Sequence, residues 1–249
     1  MKKLILLALS LSLFTACQFK EEVTFNKDGS GEYQLAIDMG GFMSMANGMG
    51  KKNDSLKSEK KPEVKDTVIK LADILSEKKD SIKRLTKEER EILESLKDLM
   101  IKIHMNEPKE EMSVAYVYPF KKASDLDNIL EKFKKLEKSR KGKDQMMGGM
   151  DQGMPNAKVS YEFSKKKFHR KVKVEKPAKK EEAATDNNDK MGEMMGMFQY
   201  KLVYHFPHKI KSVSYKDALL SADGKTLIIE VPMDTIIKNP KLLDFEVKF

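Results

Sequence analysis

Phe198-Gln199-Tyr200-Lys201-Leu202-Val203-Tyr204-His205-Phe206 is the stretch that decides the fold class. Phe198, Tyr200, Leu202, Tyr204 and Phe206 fall on one side of an extended backbone, because successive side chains of a strand point to opposite faces. His205, one residue out of phase, belongs to the wet side. A strand with one dry face must bury it against another layer, so the chain holds a half-buried sheet.

The same period recurs in both directions from this stretch. Leu227, Ile229 and Val231 follow a turn at Asp223-Gly224, and Phe245, Val247 and Phe249 close the chain. Upstream, Val159, Tyr161 and Phe163 face Phe168, Val172 and Val174 across Lys165-Lys166-Lys167. Ile101, Ile103 and Met105 lead across Glu107-Pro108 to Met112, Val114, Tyr116 and Tyr118. Val23 and Phe25 lead through Lys27-Asp28-Gly29-Ser30-Gly31 to Tyr33, Leu35 and Ile37. Short alternating runs joined by tight turns predict an antiparallel sheet built of hairpins.

Helical spacing appears twice. Val68, Leu71, Ala72 and Leu75 run through Ile82 to Thr86-Lys87-Glu88-Glu89, a capping box that restarts a helix carrying Ile92, Leu93, Leu96 and Leu99. This predicts a helical insertion over 64–100. Leu126, Ile129, Leu130, Phe133 and Leu136 form a second stripe behind a Ser124 cap. The expected fold is α+β, with two to three amphipathic helices on one face of the sheet. Segments 39–63, 139–156 and 175–196 mix Met, Gly, Lys and polar residues without apolar period. They are expected to be disordered loops of a single domain spanning 17–249.

The N-terminus has another character. Lys2 and Lys3 precede an apolar run over residues 4–14, then Thr15-Ala16-Cys17. This is the grammar of an export signal over 1–16. Eleven apolar residues reach only about 17 Å along a helix, against a hydrocarbon core of about 30 Å, so a membrane span is not expected. Phe14-Thr15-Ala16-Cys17 resembles the lipobox of bacterial lipoproteins, with Phe14 where Leu is commoner. The resemblance implies cleavage before Cys17 and a covalent diacylglycerol and acyl chain on its thiol and amino group. No other cofactor is expected. Cys17 is the chain's single cysteine, so no disulfide staples the core. Gln18 after it resembles the sorting of lipoproteins to an outer membrane. Lys20-Glu21-Glu22 resembles a short charged signal that sends some lipoproteins of the Bacteroidota to the cell surface. The alternative is that Glu21 and Glu22 are the wet start of the first strand.

The layout also resembles an uncharacterised class of Bacteroidota envelope lipoproteins. The likeness rests on Cys17 with Val23-Thr24-Phe25-Asn26 and the Asp28-Gly29-Ser30-Gly31 turn, on Ile37-Asp38-Met39, and on the tail from Tyr204 to Phe249. More distantly, an acylated cysteine followed by a glycine-turned hairpin is similar to the LppM-type envelope lipoproteins. Neither class implies a reaction.

Charge narrows the partners. Of 249 residues 35% are charged and the net charge is +9, a composition that marks a soluble body. The export signal turns that basic balance away from nucleic acid and toward the membrane, with an envelope protein as the other expected partner. Oligomeric state is not readable. In Lys165-Lys166-Lys167-Phe168-His169-Arg170-Lys171-Val172-Lys173, the side chains of His169, Lys171 and Lys173 share an outward face. A contact with lipid phosphate and a solvated, aggregation-resistant edge are the two readings.

Twelve of seventeen methionines fall in three clusters: Met39, Met43, Met45 and Met49; Met146, Met147, Met150 and Met154; Met191, Met194, Met195 and Met197. Thioethers suit Cu(I) and Ag(I), which makes a copper- or silver-binding lipoprotein the alternative function. The simpler account is an adaptable apolar surface. His205 and His208 bracket Phe206-Pro207, too few ligands for zinc. No nucleophile elbow, phosphate-cradling glycine loop or HExxH appears, and a non-enzyme is expected. The reading is therefore an envelope lipoprotein, anchored through Cys17 at the outer membrane, with a binding or scaffolding role.

Overall fold

A computed structural model describes residues 18–40, 64–139, 157–174 and 198–249. Strands β1 (Gln18–Phe25) and β2 (Gly31–Asp38) form the first hairpin. Its turn places Gly29 at φ +87°, the left-handed region that a Cβ disfavours, and Asp28 Oδ1 accepts the Ser30 N–H at 3.0 Å. A Cβ on Gly31 would collide with the Thr24 carbonyl and the Phe120 ring, so the strands meet closely only because that residue is glycine.

Strands β3 (Val64–Lys70), β4 (Met100–Asn106) and β5 (Glu111–Phe120) follow as an antiparallel run. Helices α1 (Leu71–Glu77), α2 (Lys79–Lys83) and α3 (Lys87–Ser95) lie between β3 and β4. Helix α4 (Ile129–Ser139) precedes the hairpin of β6 (Ala157–Phe163) and β7 (Lys167–Val174). The remainder comprises β8 (Gln199–His205), β9 (Ser212–Val213), β10 (Leu219–Leu220), β11 (Thr226–Pro232), α5 (Met233–Lys238) and β12 (Phe245–Lys248).

The α+β class is as expected, but the strands form two sheets rather than one. The large sheet has the order β10-β11-β8-β1-β2-β5-β4-β3 and the small one β6-β7-β12-β9. β1 runs parallel to β8, with Phe19 opposite Tyr200 and Val23 opposite Tyr204, so the large sheet is mixed, not purely antiparallel. Alternation reports which side chains share a face; it does not report which strand lies alongside, and the parallel pair was invisible for that reason.

The dry face of the large sheet is covered in two halves. Over β1 and β8 lies the small sheet: Phe25 stacks on Phe163 at 4.7 Å between ring centroids, and Phe168 meets Tyr204 at 5.3 Å. Over β2 and β5 lies α4, whose Phe133 meets Tyr116 at 5.4 Å and Tyr33 at 6.1 Å. All of these rings except the half-buried Phe163 are buried, and they make one continuous apolar core. Burial on this scale, at roughly 25 cal/mol per Å² of apolar surface, stabilises the domain without cross-links.

Two local expectations are corrected. The insertion over 64–100 opens with a strand: residues 64–70 pair with β4, and Val68 sits opposite Lys102, 58% exposed rather than on a helix face. The helix starts at Leu71, whose N–H donates to the Leu99 carbonyl at 2.9 Å. Ser124 lies inside a 3-10 turn (Ala123–Leu126) and does not cap α4. Asp127 and Asn128 intervene because they pair with the outer edge of β6. Asp127 Oδ1 accepts the Tyr161 N–H at 2.9 Å, and the Asn128 N–H donates to the Val159 carbonyl at 2.8 Å. Asn128 takes φ +54° to do so. The capping box at Thr86 is formed as the sequence predicts: the Thr86 N–H donates to Glu89 Oε2 at 2.8 Å and Thr86 Oγ1 accepts the Glu89 N–H at 3.2 Å. The expected loops 39–63, 139–156 and 175–196 lie outside the described residues, apart from Met39, Gly40 and Ser139.

Candidate functional site

The most unusual chemistry among the described residues is buried between the two sheets. Glu21 is 0% exposed and Arg170 2%. Both stand on the dry parity of their strands, Glu21 between Phe19 and Val23 on β1, Arg170 between Phe168 and Val172 on β7. Tyr200 donates its hydroxyl to Glu21 Oε2 at 2.6 Å, Tyr161 to Oε1 at 3.2 Å, and Tyr204 to the same Oε1. Arg170 Nε lies 3.6 Å from Oε1, and its Nη1 donates to the Leu243 carbonyl at 3.0 Å. The guanidinium also sits 5.9 Å from the centre of the Tyr161 ring.

Each charge answers the other. Burial alone would push the Arg170 guanidinium down, but the Glu21 carboxylate beside it holds it well above its ordinary range. Burial first, and the Glu21 charge second, push the hydroxyls of Tyr161, Tyr200 and Tyr204 up, so all three stay protonated donors. Tyr33 is pushed up by the same two causes, and its buried hydroxyl has no hydrogen-bond partner. The arrangement therefore binds β1, β8, β6 and β7 together across the sheets. Sealed from solvent, it fixes a geometry and presents no reacting atom to a soluble substrate.

The opposite face of β1 carries a wet network. His205 Nε2 meets Glu22 Oε1 at 2.8 Å, its Nδ1 meets Thr226 Oγ1 at 3.0 Å, and Lys20 Nζ lies 2.6 Å from Glu22 Oε2. Burial tends to raise the Glu22 pKa, but Lys20 and His205 outweigh it and lower it. On β7, His169 reaches Asp244 Oδ1 at 3.0 Å, while Asp244 Oδ2 accepts the Val172 N–H at 3.0 Å and Lys241 Nζ at 2.6 Å. Burial works to raise Asp244, and these three partners override it and hold the carboxyl at about 2.

The residues singled out in the sequence are dispersed. Of Lys20, Glu21 and Glu22, the folded domain presents Lys20 and Glu22 at its surface and encloses Glu21, so Glu21 is not the wet start of a strand. Met39 packs against the core while its N–H donates to the Met112 carbonyl at 2.8 Å. Cys17, Met43, Met45, Met49, Met146, Met147, Met150, Met154, Met191, Met194, Met195 and Met197 lie outside the described residues. His205 is on the wet face, as its parity predicts, and is engaged by Glu22. His208 packs against Phe249, with 5.8 Å between ring centres. Among the described residues no group of three or more His, Cys, Asp or Glu could hold a metal ion. The signal in the sequence for Arg170 and the tyrosine cluster is a charge in the dry phase of an alternating run.

No family profile and no curated protein matches the chain. A solved structure to which it is similar is the NMR structure of the folded domain of LppM from Mycobacterium tuberculosis. The TM-score is 0.36 at 7% identity, over 95% of this chain and 92% of that one. The likeness is distant, and at that score it carries no argument about fold or function. No helix among the described residues is long and apolar enough to cross a membrane.

Proposed function

We propose that this chain is a lipid-anchored protein of the cell envelope, held at the outer membrane through Cys17, whose domain binds or scaffolds rather than catalyses. The observation that carries the reading is the position of β1. It begins at Gln18, the residue after the lipobox cysteine, and is an interior strand between β2 and β8. An acylated Cys17 joins the middle of the large sheet with no intervening tether. Two or three acyl chains, at roughly 0.8 kcal/mol per buried CH₂, hold such a domain at the bilayer surface durably. The end of the sheet marked by Gln18, Gln199 and Pro232 then faces the lipid.

The test is fractionation of cells expressing the native protein and the Cys17→Ser variant. The native protein stays with membranes washed at high salt, which screens any electrostatic contact with lipid, and the variant is released to the soluble fraction. A variant that still sediments fully with salt-washed membranes overturns the reading.

A further inference from the structure

Lysines gather where the β6–β7 hairpin opens. The register sets Lys158 directly opposite Lys173, with Lys171 opposite Ser160 on the same face. Like charges facing each other across a ladder weaken it. Lys171 and Lys173 are exposed and have no ion-pair partner among the described residues. A fourth lysine, Lys241, is held there by the Val172 carbonyl at 2.9 Å and by Asp244. These four ammonium groups border an open groove of about 630 Å³ that is also lined by Val159, Val172 and Val174. Val174 is 50% exposed, an apolar patch within a basic rim. Asn128 lines the same groove, and its buried Oδ1 has no partner.

The groove has a direction. Phe163 stacks on Phe25, and Tyr161 donates to Glu21. Passing along β6 from Phe163 back to Ala157 therefore goes the same way as passing along β1 from Phe25 back to Gln18. The open end of the hairpin lies at the end of the molecule where the chain joins Cys17.

We propose that this groove seats the phosphate headgroup of an anionic membrane lipid, with the lysines around the phosphate and the exposed Val174 against the first apolar segment of the lipid. The apolar lining selects a lipid over free phosphate, which gains nothing from valine. The orientation toward the bilayer rests on the lipid-anchored reading above; the binding itself does not require the anchor.

The test uses the chain from Cys17 onward carrying Cys17→Ser, which contains every described element and no lipid. It is sedimented with vesicles of phosphatidylcholine alone and of phosphatidylcholine mixed with phosphatidylglycerol. The protein pellets with the anionic vesicles only, and millimolar inorganic phosphate does not displace it. Lys171→Gln/Lys173→Gln lowers the partition about 25-fold, from roughly fivefold per basic residue, and Lys173→Gln alone lowers it about fivefold. The thermal midpoint of either variant is unchanged or higher, because the like-charge pair is relieved. Lys216→Gln/Lys225→Gln, an equal charge change at exposed positions away from the groove, leaves binding intact. Equal pelleting with neutral vesicles, equal loss in the two double variants, or displacement by inorganic phosphate overturns the proposal. Those outcomes leave the Cys17 anchor standing, and release of the Cys17→Ser protein from salt-washed membranes leaves the groove standing.

Discussion

At the scale of single residues, Glu21 and Arg170 carry the largest stakes. Removing one member of a buried pair strands the other charge, so Glu21→Ala is predicted to cost about 3–5 kcal/mol in urea unfolding. Glu21→Leu combined with Arg170→Met should cost much less than the two single changes added, since well-packed apolar residues replace both charges. Additive losses would show that the two residues do not act together. Asp244 supplies a pH test. Its carboxyl is held at about 2 in the fold, below the ordinary 3.8, so its contribution is present at neutral pH and fades as pH falls from about 4 through 2. Asp244→Asn should lower the thermal midpoint at pH 7, with the deficit shrinking across that acidic window; a deficit that stays constant would contradict the assignment. Much of this was legible in principle, because Glu21 and Arg170 occupy dry positions between apolar neighbours. Their meeting was not, since β1 and β7 belong to different sheets and no local spacing links them.

At the scale of elements, the hairpins were the most readable part of the chain. Phe163 pairs with Phe168, and Phe25 with Gly31, across the turns the sequence marks. Turn chemistry and period-two alternation are local, so one sequence suffices for them. In β3 the helical spacing of Val68 and Leu71 is outweighed by the ladder to β4, which decides the backbone of 64–70. Tertiary pairing overrides propensity there. Two changes test elements directly. Thr86→Ala removes the side-chain half of the α3 capping box and should cost about 1 kcal/mol, read as a lower unfolding midpoint. Gly31→Ala inserts a methyl where the Thr24 carbonyl and the Phe120 ring leave no room, and should destabilise by about 1–3 kcal/mol. An alanine protein as stable as the parent would contradict the close approach of β1 and β2.

At the scale of the molecule, β1 does three things at once. It leaves Cys17 directly, occupies the interior of the large sheet, and supplies Glu21 to the polar cluster that ties the small sheet down. With Cys17 acylated as proposed, a pull or a push there would reach an interior strand of the large sheet. On the proposed reading the basic groove at the same end would give the bilayer a second point of contact, so the domain should hold a preferred tilt on anionic membranes and lose it when Lys171 and Lys173 are neutralised. The most direct measurement of the central claim is the mass of the N-terminal peptide from protein purified out of membranes. The account predicts a peptide that begins at Cys17 and carries a diacylglycerol and an acyl chain; a peptide that begins at Met1, or an unmodified Cys17, would contradict it.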